Sequence, residues 1–355
     1  MHYSTISRAP LLGLAQSISA YIVIVSALSS LWAEESAVGV APSRTQVIEL
    51  AEGWNSVYLE VEPVETDPDE LFFDTPIEIA AAYLRPVTSQ QFVEGPTQVL
   101  SDPKGWNVWY SPSREDALLT NLYDIQAHRS YLLFSKEAFT LNLSGIPYYG
   151  TAEWHPTAYS LVGFPIDAAQ APTVENFFSG VDAHEDLKIY RMVSGVWQLI
   201  TNPSATLMES GVAYWTYAAG DSIFEGPLQV DFRSESLGGL VYTSGSGAQR
   251  LVFTNVSLYP QSLDFTVEPG EQGSIPLAYE VLDYNGEVDS VTQRLDPLGD
   301  SLSVPALEAG QSMVLNLQVI QSQVTAPLSA ATLIIFSDAG LRIEVPIVNV
   351  RSDLE

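Results

Sequence analysis

The chain repeats itself. Gly53-Trp54-Asn55-Ser56-Val57-Tyr58-Leu59-Glu60-Val61 is answered by Ala158-Tyr159-Ser160-Leu161-Val162-Gly163-Phe164-Pro165-Ile166, and the same spacing carries Glu70 with Phe72-Phe73 onto Glu175 with Phe177-Phe178. Tyr131-Leu132-Leu133 then matches Tyr214-Trp215-Thr216, the second copy being the shorter one in between. What recurs is apolar scaffold, not a set of acids, bases or metal ligands. An internal repeat of this kind marks a repeated structural unit. It predicts burial of Val57, Leu59, Phe72 and Phe73 in one module, and of Val162, Phe164, Phe177 and Phe178 in the other.

Each module reads as a small α+β unit dominated by strands. In the first, 45–149, Val57, Leu59 and Val61 alternate with Ser56, Tyr58 and Glu60, the period of a strand. Asp67-Pro68-Asp69-Glu70 then supplies the acidic residues and early proline of a helix start ahead of Leu71 and the Phe pair. Further strands are expected at 80–85, 106–110 and 131–134. The second module, 150–237, predicts strands at 160–166, 188–192, 196–200 and 213–217, with a helix at 174–178.

From Gly238 the composition changes. Gly238-Gly239 and Ser244-Gly245-Ser246-Gly247 read as linker, and no tryptophan follows. Short strand-like segments recur at 250–255, 263–267, 275–282, 313–319, 331–336 and 341–348. Asn285-Gly286 is a hairpin-turn signal. The alternation of Met313, Leu315, Leu317 and Val319, and of Leu341, Ile343, Val345 and Ile347, turns one face of each strand inward. The expected fold is mainly β: two related α+β modules followed by a helix-free immunoglobulin-like β-sandwich over 238–350.

Leu251-Val252-Phe253-Thr254-Asn255, Leu307-Glu308-Ala309-Gly310-Gln311-Ser312, Ser337-Asp338-Ala339-Gly340 and the closing Val345-Pro346-Ile347 occur in an order that resembles the BACON and Hydin-type immunoglobulin-like modules of secreted bacterial multidomain proteins. The resemblance covers the last third. It implies a spacer or binding appendage and brings no catalytic residue with it. The Gly53-Trp54-Asn55 opening resembles a repeated module of exported bacterial proteins without a defined activity.

The N-terminus reads as an export signal over 1–33: His2 and Arg8, then an apolar run from Pro10 to Ala33, with Glu34-Glu35 after the expected cut. A spacer follows at 34–44. The run is also long enough to remain as an anchor, so cleavage and retention both stay open. After signal removal no second spanning stretch follows, and no membrane insertion is expected. The destination is extracellular, periplasmic or the cell surface. The net charge of −29 repels nucleic acid and anionic lipid, and suits a neutral or cationic partner. With no cysteine, thiol chemistry, disulfides and Cys-ligated zinc are excluded.

Few motifs of chemistry survive inspection. His184-Glu185 begins like a zinc-protease motif, but Lys188 stands where the second histidine should be. None of the three lysines (Lys104, Lys136, Lys188) follows a glycine, so a phosphate-cradling loop is absent. Neither Asp67-Asp69-Glu70 nor Asp283-Asn285-Glu287-Asp289 has the glycine placement of an EF-hand; no cofactor is expected, with weak calcium binding left open. Among 43 acidic residues, chance carboxylate pairs tell nothing.

Aromatics remain. Every tryptophan beyond the signal lies between Trp54 and Trp215. Trp106 and Trp109 are three apart, hence on opposite faces of a strand, and both enter a core only if both faces are covered. Trp154, Tyr148 and Tyr149, at the junction of the modules, together with Trp106 and Trp109, are the candidate ligand-binding residues. They would act as a shallow stacking surface for a neutral glycan or another surface protein, with core filling as the competing role. These residues favour an exported, non-catalytic binding or structural protein. An extracellular polysaccharide hydrolase with an unrecognised carboxylate pair and a self-assembling surface protein are the alternatives.

Overall fold

The first strands show how alternation becomes architecture. β1 (Arg44–Leu50), β2 (Gly53–Leu59), β3 (Val61–Pro63), β4 (Ile77–Tyr83), β5 (Trp106–Tyr110), β6 (Arg129–Ser135) and β7 (Phe139–Pro147) form two sheets in this computed structural model, ordered β1-β7-β3 and β2-β6-β4-β5. The structure describes residues 42–83, 105–150, 152, 154–232, 239–270, 273–285, 290–299 and 301–351. The expected export segment, Lys104, Gly238 and Gly286 lie outside the described residues. In the described part of the chain no helix is long and apolar enough to cross a membrane. From Val40 onward the chain is one compact unit.

Both faces of the four-stranded sheet are covered. Val57, Leu59, Ala80, Ala82, Trp109, Tyr131 and Leu133 lie against Ile48, Leu50, Leu141 and Leu143 of the three-stranded sheet. Trp54, Ile79, Ala81, Trp106, Val108 and Leu132 face the other way, toward Trp197 and Trp215. Trp106 and Trp109 are therefore both core, one on each side, 3% and 2% exposed.

The helix Pro68–Leu71 starts as its sequence dictates. The Asp67 side chain accepts the Asp69 N–H at 2.9 Å, and Pro68 fills a first-turn position that needs no N–H.

The second four-stranded sheet consists of β8 (Ala158–Gly163), β9 (Ile189–Val193), β10 (Val196–Leu199) and β11 (Ala213–Ala218), ordered β10-β9-β11-β8. Read from its first strand outward, each sheet runs first, last, second, third. Register agrees as well: Val57 pairs with Tyr131 and Val162 with Tyr214, while Asn55 pairs with Leu133 and Ser160 with Thr216. In each sheet the tyrosine hydroxyl accepts a backbone N–H from five residues earlier, Gln126 to Tyr131 and Glu209 to Tyr214, both at 2.8 Å. A left-handed residue precedes each tyrosine by three positions, His128 at φ 56° and Gly211 at φ 70°.

One expectation fails. Phe72, Phe177 and Phe178 are buried, but Phe73 is 77% exposed. The caps explain it. Asp67 and Thr173 are the N-caps and Phe72 and Phe178 the C-caps of their helices. By helix position Phe72 thus matches Phe178, Leu71 matches Phe177, and Phe73 falls past the end into solvent. The helices are one residue out of step with the spacing of the strands.

The last region is a sandwich of two five-stranded sheets. Its strands are β12 (Leu228–Phe232), β13 (Leu240–Thr243), β14 (Gln249–Asn255), β15 (Gln261–Pro269), β16 (Leu277–Asn285), β17 (Ser290–Pro297), β18 (Ser301–Leu307), β19 (Ser312–Val319), β20 (Leu328–Ser337) and β21 (Leu341–Val350). The orders are β12-β14-β19-β16-β17 and β13-β21-β20-β15-β18. Leu315, Leu317 and Val319 point inward, as do Leu341, Ile343, Val345 and Ile347, whereas Met313 is only half-buried.

Two details differ from the sequence reading. β12 lies before the expected boundary at 238 yet pairs with β14, because Val230 and Phe232 alternate inward. A short 3-10 turn, Gln321–Gln323, interrupts the otherwise strand-only region. Asn285 pairs with Ser290 across β16 and β17, and the turn expected at Asn285-Gly286 falls on residues outside those described. By contrast, Gly340 closes the last hairpin at φ +84°, and a Cβ there would meet the Pro172 ring at 2.4 Å. The outer face of the second sheet has no cover sheet of its own: Val162, Phe164, Ile189 and Tyr214 share one apolar core with Leu251, Leu341 and Ile343 of the sandwich.

Candidate functional site

The charged residues gather where β1, the end of β8 and β21 meet. At the start of β1, Arg44 reaches Glu60 at 2.5 Å and also pairs with Glu344 of β21; Arg342 takes the other Glu344 oxygen. The Glu344 side chain is 5% exposed. Burial, with Arg44 nearby, holds the Arg342 guanidinium below its ordinary pKa. A charge chain so buried contributes little net stability, but it costs much when one member is lost.

Aromatic hydroxyls close the site around this chain. The Tyr58 hydroxyl shares a 2.7 Å hydrogen bond with His128 Nδ1, and the Tyr149 hydroxyl donates to Glu225 at 2.8 Å. Burial raises both tyrosines well above the usual phenol range, so both stay neutral. Tyr148 is half-buried, its ring 6.1 Å from that of His128. The cavity among them measures about 20 Å³, room for about one water molecule and far short of the roughly 300 Å³ at which ligand pockets begin. Two hydrogen bonds tighten the junction: Tyr58 N–H donates to Gly211 O at 2.8 Å and the Ser56 hydroxyl to Ala213 O at 2.9 Å. These groups hold parts together and admit no sugar.

The five candidate residues do not form one surface. Trp109 donates its indole N–H to Asp69 at 2.7 Å and lies against Phe72. Trp106 is buried on the opposite face. Tyr149 is buried, 7% exposed. Trp154 donates to Phe224 O at 2.7 Å, and its ring centroid is 4.4 Å from that of His184. Trp106 and Trp109 are covered because both sides of their sheet are packed, while Tyr148 and Trp154, which lie outside the strands, are half-buried.

The other motifs are structural. His184 is 2% exposed; its Nδ1–H donates to Tyr217 O at 3.0 Å and Nε2 accepts from Ser222 Oγ at 2.9 Å. Burial lowers its pKa from 6.5. Asp67 and Asp69 are engaged in the helix cap and with Trp109. The side chains of the acidic set at 283–289 lie outside the described residues. Among the described residues no group of three His, Asp or Glu is arranged to hold a metal.

The sequence reading passed over a different group, the facing surfaces of the two four-stranded sheets. Tyr83 and Trp106 of the first sheet pack on Trp215 of the second, centroids 4.8 and 6.1 Å apart, and Trp197 lies 6.1 Å from Trp215. Beside them Tyr159 stands 5.8 Å from Tyr190 and 5.2 Å from Tyr217. Tyr159, Tyr190 and Tyr217 are half-buried, not sealed. The signal for this set was alternation within strands: Tyr159, Tyr190 and Trp215-Tyr217 occupy same-face positions of three neighbouring strands.

No family model matches the chain, and no curated protein does. Solved structures similar to it include the Salmonella enterica SafA pilin in complex with the SafB chaperone, at 12% identity over 38% of this chain and 59% of that one, TM-score 0.23. The Pseudomonas aeruginosa CupB2 chaperone aligns at 15% identity over 33% of this chain and 55% of its own, TM-score 0.22. A FixG-related protein from Vibrio parahaemolyticus aligns at 11% identity over 36% of this chain and 97% of its own, TM-score 0.20. The chain spans little more than half the length of the first two of these structures. Likenesses of this size carry no argument about activity or partners. The fold class rests on the strands themselves: mainly β, with an immunoglobulin-like sandwich as its last region.

Proposed function

We propose that this is an exported, non-catalytic binding or structural protein of the cell surface or extracellular space, built from two copies of one sheet unit and an immunoglobulin-like module. One observation carries the reading. A cluster of charged and titratable side chains, Arg44, Glu60, Glu344, Tyr58, His128 and Glu225, is engaged in joining three parts of the molecule around a cavity of about 20 Å³. A carboxylate pair that cleaves a glycoside needs about 5 Å or more of open space between its members. The partner is a neutral glycan or another surface protein. The self-assembling alternative has one point in its favour, Leu282 and Leu295 exposed on the β16–β17 hairpin at the sheet edge.

The test is a combined hydrolysis and binding screen of the chain from residue 34 onward against neutral, anionic and cationic polysaccharides. The expected result is no turnover, and weak binding of neutral glycans alone. Turnover of any polysaccharide overturns the reading in favour of the hydrolase.

A further inference from the structure

We propose that β17 is a docking strand for a second copy of this chain, the two β17 strands pairing antiparallel about a two-fold axis at Leu295. This goes beyond the binding or structural reading, which does not depend on it.

The open edge comes first. β17 ends its sheet, and among the described residues its one strand partner is β16. The hairpin pairs from Asn285–Ser290 to Ala278–Pro297 without a register shift. Thr292, Gln293, Arg294 and Leu295 are exposed. Edge strands are usually short, bulged or broken by proline, because a regular one templates another strand. β18, the edge of the facing sheet, follows that rule, with Pro305 inside it and a register shift against β15. In β17 the one proline is Pro297, its last residue.

The backbone decides which groups are on offer. Leu298 N–H donates to Leu277 O at 2.9 Å, so the even-numbered residues of the strand turn their N–H and C=O toward β16. The odd-numbered ones, Gln293, Leu295 and Pro297, turn theirs to the free edge. Proline agrees, since within a sheet it sits where its missing N–H faces away from the neighbour. With the axis at Leu295, that residue meets its own counterpart and Gln293 meets the counterpart of Pro297. Each Leu295 then donates to and accepts from the other, and each Gln293 N–H donates to a Pro297 C=O.

Side chains select the same register. Arg294 and Asp296 lie side by side on one face of β17 and pair with each other, Nε to Oδ1 at 2.7 Å. With the axis at Leu295, each Arg294 stands opposite the Asp296 of the other copy, and the charges alternate in sign around a square. An axis at Arg294 or at Asp296 would set like charges opposite each other, which destabilises a strand pair. An axis at Gln293 would leave Arg294 facing Thr292 and Asp296 facing Ser290. On the other face of the strand, Leu295 (45% exposed) meets its counterpart, and Leu282 (66% exposed) lies diagonal to it through the Leu282–Gln293 pair. The Leu295 register also carries the acidic stretch 283–289 past the end of the opposing strand, not against its own copy. On a chain of net charge −29 that avoids a concentrated repulsion. An interface in which each patch meets itself is the isologous kind that closes at a dimer.

The experiment uses the chain from residue 34 onward, which holds the whole compact unit. Sedimentation should show a monomer–dimer equilibrium with a Kd of about 10 µM. Arg294→Asp should raise that Kd at least about tenfold, and adding Asp296→Arg should return it to within about threefold of the wild type. Because the chain has no cysteine, single cysteines report the register directly. Leu295→Cys should cross-link to its counterpart under mild oxidation, the two Cα atoms being about 5.5 Å apart. Gln293→Cys, about 14 Å from its counterpart, should not. Both residues are exposed, so neither change should move the melting temperature of the dilute monomer. A wild type that stays monomeric at about 100 µM, tenfold above the expected Kd, overturns the proposal. So does cross-linking at 293 equal to that at 295. A dimer that Arg294→Asp leaves intact, or that the charge exchange does not restore, places the contact elsewhere and overturns it too.

Discussion

The two four-stranded sheets reach the same strand order and register but bury their outer faces differently. The first is roofed by the separate sheet β1-β7-β3, whereas the second lies directly on the sandwich core. A sheet with two apolar faces needs two covers, and where the chain supplies only one locally, a neighbouring region has to serve. The inner faces show the same divergence at a single point. Tyr58 and Gly163 hold equivalent positions, and they meet each other: a Cβ on Gly163 would lie 2.2 Å from that of Tyr58. Only one of the two positions can carry a side chain. The halves fit because they have ceased to be identical there.

Four substitutions break or sharpen this comparison, from the largest effect to the smallest. Trp215→Ala empties the centre of the seam and should cost about 3–5 kcal/mol in urea denaturation. A cost below about 1 kcal/mol would mean that the sheets do not depend on each other. The two phenylalanines after the first helix should separate cleanly. Phe72→Ala is expected to lose about 3–5 kcal/mol, and Phe73→Ala less than about 0.5 kcal/mol; equal losses would reject the one-residue shift between helix and strand spacing. Gly163→Ala should destabilise by about 1–3 kcal/mol through overpacking, and Tyr58→Gly should relieve part of that loss in a double-mutant cycle. Strict additivity would show that the two positions do not touch.

The smallest effect is a pH slope. His184 is neutral in the fold and its pKa lies below 6.5, so the unfolded chain binds the proton more readily. Its contribution is complete above pH 6.5 and is lost as pH falls through the folded value. Melting temperatures taken downward from neutral pH should fall in the wild type and fall less in His184→Gln. A slope of the opposite sign would mean that the imidazole is charged in the fold.

Much of the fold was legible because strands report which residues share a face. Leu341, Ile343, Val345 and Ile347 read as one inward face, and they are one. The same signal is silent about what covers a face. Hence Trp106 and Trp109 could be placed on opposite sides from their spacing, but not both in cores. β12 escaped notice for a related reason: its pairing partner is β14, beyond a glycine-rich tract that reads as a boundary. The Phe73 error arose because a strand and a helix tolerate insertions independently, so one spacing does not govern both. For Tyr159, Tyr190 and Tyr217 alternation gives the face each shares within its own strand, but three single residues on three strands become neighbours only through register.

The pairing of Arg44 with Glu344 joins residues 300 positions apart. The interval between the first strand and its clasp is therefore nearly all of the described chain. Closing a loop of that size is slow on entropic grounds, and contacts of long sequence separation are the last to be rewarded during folding. A chain that emerges from its N-terminus can pair β1 with β7 early, but Arg44 waits for β21. Until β21 arrives, Glu60 is the acidic partner that Arg44 has at this junction among the described residues, and β1 and β21 report on each other's placement.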